Sequence, residues 1–268
     1  MNDPRLGGLD ADLIRNTLLD AAVIAATRTL PRFRSGLAVD NKDAAGFDPV
    51  TEADRDAELA IRELLGERFP DHAIIGEEWD DKAGTGRFAW IIDPIDGTRA
   101  FITGVPVWGT LIGLNVDGRA VAGLMAQPFS GEIFLALPGE AHYHRGSERA
   151  TLKTSAVTEL ARAKLTATSP EIFEIAGVSE QWARLRKNVL TTRYGLDCYG
   201  YALMAAGHID LVVEAALKDV DIAPMIPLIE NAGGVITTWD GGPAEQGGNC
   251  VAAATPELHA AAMAVLRG

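Results

Sequence analysis

The sequence predicts an α/β protein, with an α+β part over 1–150 and an α/β part over 151–268, packed as one compact unit. Three observations predict this. The first half carries two segments of helical periodicity and then apolar strands joined by tight-turn dipeptides. The second half alternates helical and strand patterns, as layered α/β units do. No repeat or low-complexity linker interrupts the 268 residues, and 47% of them are hydrophobic, enough to bury a large core.

Leu9 to Leu30 has apolar residues at helical spacing, among them Leu13, Leu18, Ala21, Ala22 and Ala25, and Pro31 ends it. Thr51 to Phe69 reads as a second helix, with Thr51 as N-cap, Asp54 on the first turn, and Ala57, Ile61, Leu64 and Leu65 as the buried face. Ala73 to Gly76 and Phe88 to Ile92 read as strands. Val107 to Val116, Ala120 to Pro128 and Glu132 to Leu137 follow as hairpin strands, turned by Asp117-Gly118 and Ser130-Gly131. Beyond Thr151 the pattern gives a strand at Leu165 to Thr168, a helix at Glu180 to Lys187 and a strand at Val189 to Thr192. A helix at Cys198 to Ala206, a strand at Leu211 to Glu214 and a helix at Ile222 to Asn231 come next. Strands at Val235 to Thr237 and Cys250 to Ala254 and a helix at Pro256 to Leu266 complete the chain.

The most informative stretch is Trp90-Ile91-Ile92-Asp93-Pro94-Ile95-Asp96-Gly97-Thr98. A buried strand delivers Asp93 and Asp96 into a turn, where paired carboxylates can hold a hard divalent cation. Gly97 and Thr98 then offer backbone N–H groups to an anion. The plain alternative is a polar turn, since Asp, Pro and Gly are common turn residues. Three further acidic clusters weigh against it: Asp48-Pro49-Val50-Thr51-Glu52-Ala53-Asp54, Gly76-Glu77-Glu78, and Asp219-Val220-Asp221-Ile222-Ala223. Carboxylates gathered at strand and helix ends beside an anion cradle suggest metal-assisted chemistry on a phosphate.

Those motifs, in that order, resemble the inositol-monophosphatase-type phosphatases, a Mg²⁺-dependent, lithium-sensitive group, over almost the whole chain. Within that group the chain is similar to the histidinol-phosphate phosphatase branch. Thr98-Arg99-Ala100-Phe101 stands where inositol enzymes carry Thr-Asn-Phe. Gly195-Leu196-Asp197-Cys198-Tyr199-Gly200-Tyr201 puts Asp197 at a position usually small. The resemblance implies a layered αβαβα sandwich acting as a single catalytic unit. It implies two or three Mg²⁺ ions. Glu77, Asp93 and the carbonyl of Ile95 would hold the first; Asp93, Asp96 and Asp221 would hold the second; a weaker third would lean on Glu77. Thr98 would orient the attacking water, with Asp54 accepting from its hydroxyl, although Thr98 can also be read as a plain helix N-cap. Gly97, Thr98, Arg193, Gly195, Asp197 and Glu214 would meet the substrate. Asp197 and Glu214 would attract a cationic alcohol, although Asp197 also fits the N-cap of the helix starting near Cys198. Glu78 reads as a solvated neighbour, and Lys42 either steadies the water or sits in a loop.

A net charge of −13 argues against nucleic-acid binding, and bound Mg²⁺ reconciles it with a phosphate substrate. Cys198 and Cys250 lack metal or redox spacing and read as buried free thiols. Neither a secretory signal nor a stretch long and apolar enough for a bilayer is present, so no membrane partner and a cytoplasmic location are expected. The five histidines read as structural or solvated, with His142 and His144 on a surface β segment. A homodimer is expected from the resemblance. The leading expectation is hydrolysis of L-histidinol phosphate, a step of histidine biosynthesis, on a small phosphorylated substrate. Inositol 1-phosphate is the alternative, and bisphosphate substrates fit less well for want of a second basic pocket. The alternative of another class is a non-catalytic, metal-binding regulatory protein on the same fold.

Overall fold

The computed structural model describes residues 3–36, 40–41 and 49–268; Lys42 and Asp48 lie outside the described residues. Helix α1 (Ala11–Thr29) is capped by Asp10, whose carboxylate accepts from Leu13 N–H. A short β1 (Asp40–Asn41) pairs antiparallel with β2 (Pro49–Val50), a pairing too brief to show in sequence periodicity. Helix α2 (Glu52–Arg68) opens with a capping box in which Thr51 and Asp54 satisfy each other's backbone donors.

Seven strands then form one sheet: β3 (Ala73–Gly76), β4 (Phe88–Asp96), β5 (Gly109–Val116), β6 (Arg119–Gln127), β7 (Glu132–Leu137), β8 (Glu140–Arg145) and β9 (Glu148–Thr151), with α3 (Thr98–Thr103) between β4 and β5. β3 and β4 are parallel and every later pair is antiparallel. The second sheet runs β11-β10-β12-β14-β13. It comprises β10 (Lys164–Ala167), β11 (Thr191–Tyr194), β12 (Leu211–Leu217), β13 (Val235–Thr238) and β14 (Gly248–Ala253). Around it stand α4 (Glu171–Ile175), α5 (Ser179–Arg186), α6 (Cys198–Ala205), α7 (Asp219–Ile222), α8 (Ile226–Asn231) and α9 (Pro256–Arg267).

Side-chain alternation sets the layers. Ile112, Leu114 and Leu124 pack with Ile14, Leu18, Ile61 and Leu65 of α1 and α2. Leu111 and Met125 face the other way, onto Tyr201, Ile226 and Ile229 of α6 and α8. The far side of α6 and α8 meets Val212, Cys250 and Ala252 of the second sheet, whose outer face is closed by Trp182, Leu185, Leu258 and Ala262 of α5 and α9. Helix pair, sheet, helix pair, sheet, helix pair is the αβαβα sandwich that the resemblance implies.

Two of the differences from the sequence reading bear on the site. The strand at Phe88 runs on to Asp96, with a register break between Asp93 and Asp96, so the motif is a bulged strand end rather than a free turn. The single helix expected at Ile222 to Asn231 is instead α7, a 3₁₀ turn at Ala223–Met225, and α8, because Pro224 and Pro227 each remove a helical N–H.

Both sheets contribute to one cleft through a cross-strand glycine pair. Gly113 and Gly123 lie opposite each other on β5 and β6, and Pro224 sits directly on them. That seat fixes the segment carrying Asp221.

Candidate functional site

β4 delivers the first carboxylates. Pro94 has no N–H to give the ladder, so pairing lapses after Asp93↔Leu111 and resumes at Asp96↔Gly109. In the gap Asp93 Oδ1 accepts Ile95 N–H at 3.0 Å, which fixes the carboxylate. Ile95 anchors the bulge among Phe33, Phe101 and Trp108. Gly97 follows with φ +82°, and a Cβ there would stand 2.9 Å from Asp197 Oδ2, so only glycine fits.

Asp221 arrives from the opposite side on α7, where its Oδ2 accepts Lys218 N–H at 2.7 Å. Oxygens of Asp93, Asp96 and Asp221 lie within 4.8 Å of one another. Asp96 Oδ2 also accepts the N–H of Cys198, the first residue of α6, at 2.8 Å. This corrects the N-cap reading of Asp197. Asp197 occupies the cap position but makes no capping bond, and its backbone is held at φ 47°, ψ −138°. Asp96, 102 residues before Cys198, does the capping instead.

Glu77 sits on the turn after β3. That turn is built by Glu58, fully buried on α2, which accepts Glu78 N–H at 2.8 Å and Arg62 Nε at 2.7 Å. Lys218 Nζ meets Glu77 Oε1 at 2.9 Å. β12 breaks register between Glu214 and Leu217, with Ala216 at φ +57° and its N–H on Asn249 Oδ1, and this bulge forms the cleft wall leading to Lys218.

The resulting cavity of about 280 Å³ is lined by six carboxylates, those of Glu77, Asp93, Asp96, Asp197, Glu214 and Asp221, with Arg99 and Lys218 as the cations among the lining residues. Burial, reinforced by mutual repulsion, lifts Asp96 to about 8 and Asp221 to about 6, and Asp93 well above the usual range. Burial likewise holds Asp54 at about 6. An all-oxygen set of crowded carboxylates is what a hard divalent cation binds, and such an ion would relieve the repulsion.

The sign of the resulting pH dependence is fixed. These carboxyls keep their protons to higher pH in the folded chain than in the unfolded one. Their contribution to stability is present below about pH 4 and lost as pH rises through the folded values, at about 3 kcal/mol for a carboxyl moved by two pH units. The metal-free protein is therefore expected to melt progressively lower between pH 5 and 8.5, and saturating Mg²⁺ to raise the melting temperature more at pH 8.5 than at pH 5. An equal Mg²⁺-induced rise at both pH values in calorimetry would remove this account of the cluster.

The remaining predicted residues fall into place unevenly. Gly97 and Thr98 line the cavity, with Thr98 the first residue of α3 rather than its cap. The expected Asp54–Thr98 hydrogen bond is not made. Thr98 Oγ1 donates to Ile95 O at 3.1 Å, while Asp54 Oδ2 is occupied by the N–H and hydroxyl of Thr51 at 2.9 and 2.6 Å. Asp54 Oδ1 is buried without a partner. Arg193 and Gly195 do not line the cavity; Arg193 is exposed on the outermost strand β11, and Gly195 is exposed just beyond it. Glu214 does line it. One oxygen accepts Thr168 N–H at 2.8 Å and its hydroxyl at 3.1 Å, and Oε2 is buried and unpartnered. Asp197 shares the Thr168 side chain and feels Arg99.

Sequence reading gave no role to Thr168, Tyr201, Arg99, Lys218 or Glu58. The only local signal was for Tyr201, three residues after Cys198 and so on the same helix face; its buried hydroxyl has no partner. Cys198 and Cys250 are buried free thiols, as expected. His72 is structural, stacked between Phe69 and Phe88 and accepting from Trp90 Nε1. Among the described residues no helix is long and apolar enough to cross a membrane.

The chain is similar to known proteins in sequence and in fold. The chloroplastic bifunctional phosphatase IMPL2 of Arabidopsis thaliana is 39% identical over 236 residues, 87% of this chain and 66% of that protein. The histidinol-phosphatase of Chlorobaculum parvum is 38% identical over 194 residues, 72% of this chain and 73% of that one. An inositol monophosphatase from Zymomonas mobilis superposes with a TM-score of 0.84 at 35% identity, covering 97% of this chain and all of the other. Residues 10–268, which carry every carboxylate described above, match the sequence profile of the inositol monophosphatase family, and the chain belongs to that family.

Proposed function

We propose that this family phosphatase hydrolyses L-histidinol phosphate to L-histidinol and phosphate. Glu77, Asp93, Asp96, Asp221 and the carbonyl of Ile95 would hold Mg²⁺, which when bound neutralises phosphate charge and acidifies the attacking water. Gly97 and Thr98 would turn backbone N–H groups toward the phosphate. The Thr98 hydroxyl would orient the water, while Asp54, with its buried free Oδ1 and a carboxyl near 6, would take up a proton nearby.

The observation that carries the substrate reading is the pair of extra carboxylates. Asp197 and Glu214 line the cavity beyond the metal trio, and Glu214 Oε2 and Tyr201 Oη are both buried and without partners. A substrate carrying an amine and an imidazole supplies N–H donors to the carboxylates and a ring nitrogen able to accept from the tyrosine. The second reading, inositol 1-phosphate, is supported by the likeness to the Zymomonas enzyme and by the suitability of Glu214 Oε2 for a sugar-like hydroxyl.

A substrate panel separates them. Asn tolerates the positive φ of Asp197, so Asp197→Asn removes charge with little backbone cost. It should raise KM for histidinol phosphate about tenfold to a hundredfold, the worth of one charge-assisted hydrogen bond, and leave inositol 1-phosphate hydrolysis nearly unchanged. Equal losses on both substrates would assign Asp197 to shaping the cavity beside Gly97 instead.

A further inference from the structure

Lys218 joins the two halves of the metal cluster. Its backbone N–H holds Asp221 Oδ2 at 2.7 Å, and its ammonium reaches across the cleft to Glu77 Oε1 at 2.9 Å. Glu77 and Lys218 are 141 residues apart and enter from different sheets, Glu77 after β3 and Lys218 after β12. The Glu77 side chain is 14% exposed and that of Lys218 54% exposed, so the ammonium approaches an enclosed carboxylate from the solvent side. The Glu77 turn is rigid, since buried Glu58 holds the next backbone N–H. What can move is the lysine, a compact charge on a flexible four-carbon stem.

We propose that Lys218 is a tethered cation that competes with divalent ions at Glu77 and so sets how tightly the cleft takes up the metal that Glu77 helps to hold. The inference rests on the metal reading above. A carboxylate that already holds an ammonium gains less from a second cation, and two cations on one carboxylate repel each other. An ion settling at Glu77 therefore has to displace the ammonium. The displaced side chain stays anchored at Asp221 through its backbone and returns when the ion leaves. Asp93, Asp96 and Asp221 make no hydrogen bond to the ammonium, although its charge is felt at Asp221 through space.

The test uses metal alone, with no substrate. Metal-free protein is titrated with Mn²⁺ at fixed ionic strength, by calorimetry and by the electron paramagnetic resonance signal of free Mn²⁺. Lys218→Met keeps the stem and removes the charge. It is expected to tighten at least one Mn²⁺ step about tenfold and to weaken none. Lys218→Arg keeps the charge and should follow the wild type. Melting temperatures confirm that each variant is folded, which the exposure of the lysine favours. An isotherm for Lys218→Met that is unchanged or weaker overturns the proposal. Wild-type protein that takes up no Mn²⁺ overturns the metal reading itself, a failure distinct from that of the lysine.

Discussion

Asp96→Asn should cut turnover by more than about a hundredfold and, in the same protein, raise the melting temperature of the metal-free form. The loss follows from ligand chemistry. An amide oxygen is a poor substitute for a carboxylate on Mg²⁺, and even the partners that merely orient metal ligands are worth about 10–100-fold when removed. The gain follows from electrostatics. Burial together with the charges of Asp197 and Asp221 lifts Asp96 to about 8, so at pH 8.5 the metal-free chain carries an ionised carboxylate against its neighbours. Asparagine removes that charge yet keeps the capping bond to Cys198 N–H, because its carbonyl oxygen can accept in place of Oδ2. The measurement is paired: phosphate release at saturating Mg²⁺, and calorimetry with and without Mg²⁺. The Mg²⁺-induced rise in melting temperature should shrink together with activity. Near-wild-type turnover would remove Asp96 from the metal site. Lost turnover with a lowered metal-free melting temperature would mean that the cap, not the metal, dominates at this position.

What the sequence discloses here is local, and what it conceals is remote. The Trp90-to-Thr98 stretch is legible as a strand delivering carboxylates into a turn because both are written in consecutive residues, and so is the Thr51 cap, whereas the bulge that carries pairing on to Asp96 is not. The hairpin turns at Asp117-Gly118 and Ser130-Gly131 are legible in the same way. The N-cap alternative for Asp197 rests on the helix at Cys198 needing a cap. That need is met by Asp96, 102 residues away, and no window of neighbouring residues contains both. Glu214 lines the cavity, but its bond to Thr168 spans 46 residues and leaves only one of its oxygens unpaired, which no local window shows. Arg193 and Gly195 were grouped with Asp197 by proximity in sequence, yet they lie on and just beyond the outermost strand, away from the cavity lining. The two prolines that divide the helix after Asp221 were visible as residues. The seat of Pro224 is not, because it depends on two glycines of another sheet.

Those glycines set the second large effect. Gly123→Ala should lower stability by about 3 kcal/mol, near the upper end of what overpacking usually costs. A Cβ at residue 123 would stand 1.9 Å from the carbonyl oxygen of Pro224 and 2.9 Å from its carbonyl carbon. Backbone atoms cannot rotate aside as a side chain can. The 3₁₀ turn Ala223–Met225 must therefore lift away from β6, and it is continuous with α7, which carries Asp221. Alanine is otherwise the better residue within a strand, so without this contact the substitution would be neutral or stabilising. For a chain of this size the cost corresponds to a fall in melting temperature of about 6–12 °C. Displacing Asp221 from Asp93 and Asp96 by even about 1 Å should also weaken metal binding and turnover, on the order of a hundredfold for the latter. Gly113→Ala supplies the graded comparison, because its Cβ would meet Pro224 Cα at 3.0 Å, a contact that a small shift relieves. The expected order in both melting temperature and Mn²⁺ affinity is wild type, then Gly113→Ala, then Gly123→Ala. If Gly123→Ala lost stability but bound Mn²⁺ like the wild type, the glycine seat would serve packing alone, and Asp221 would be positioned by its bond to Lys218 N–H instead.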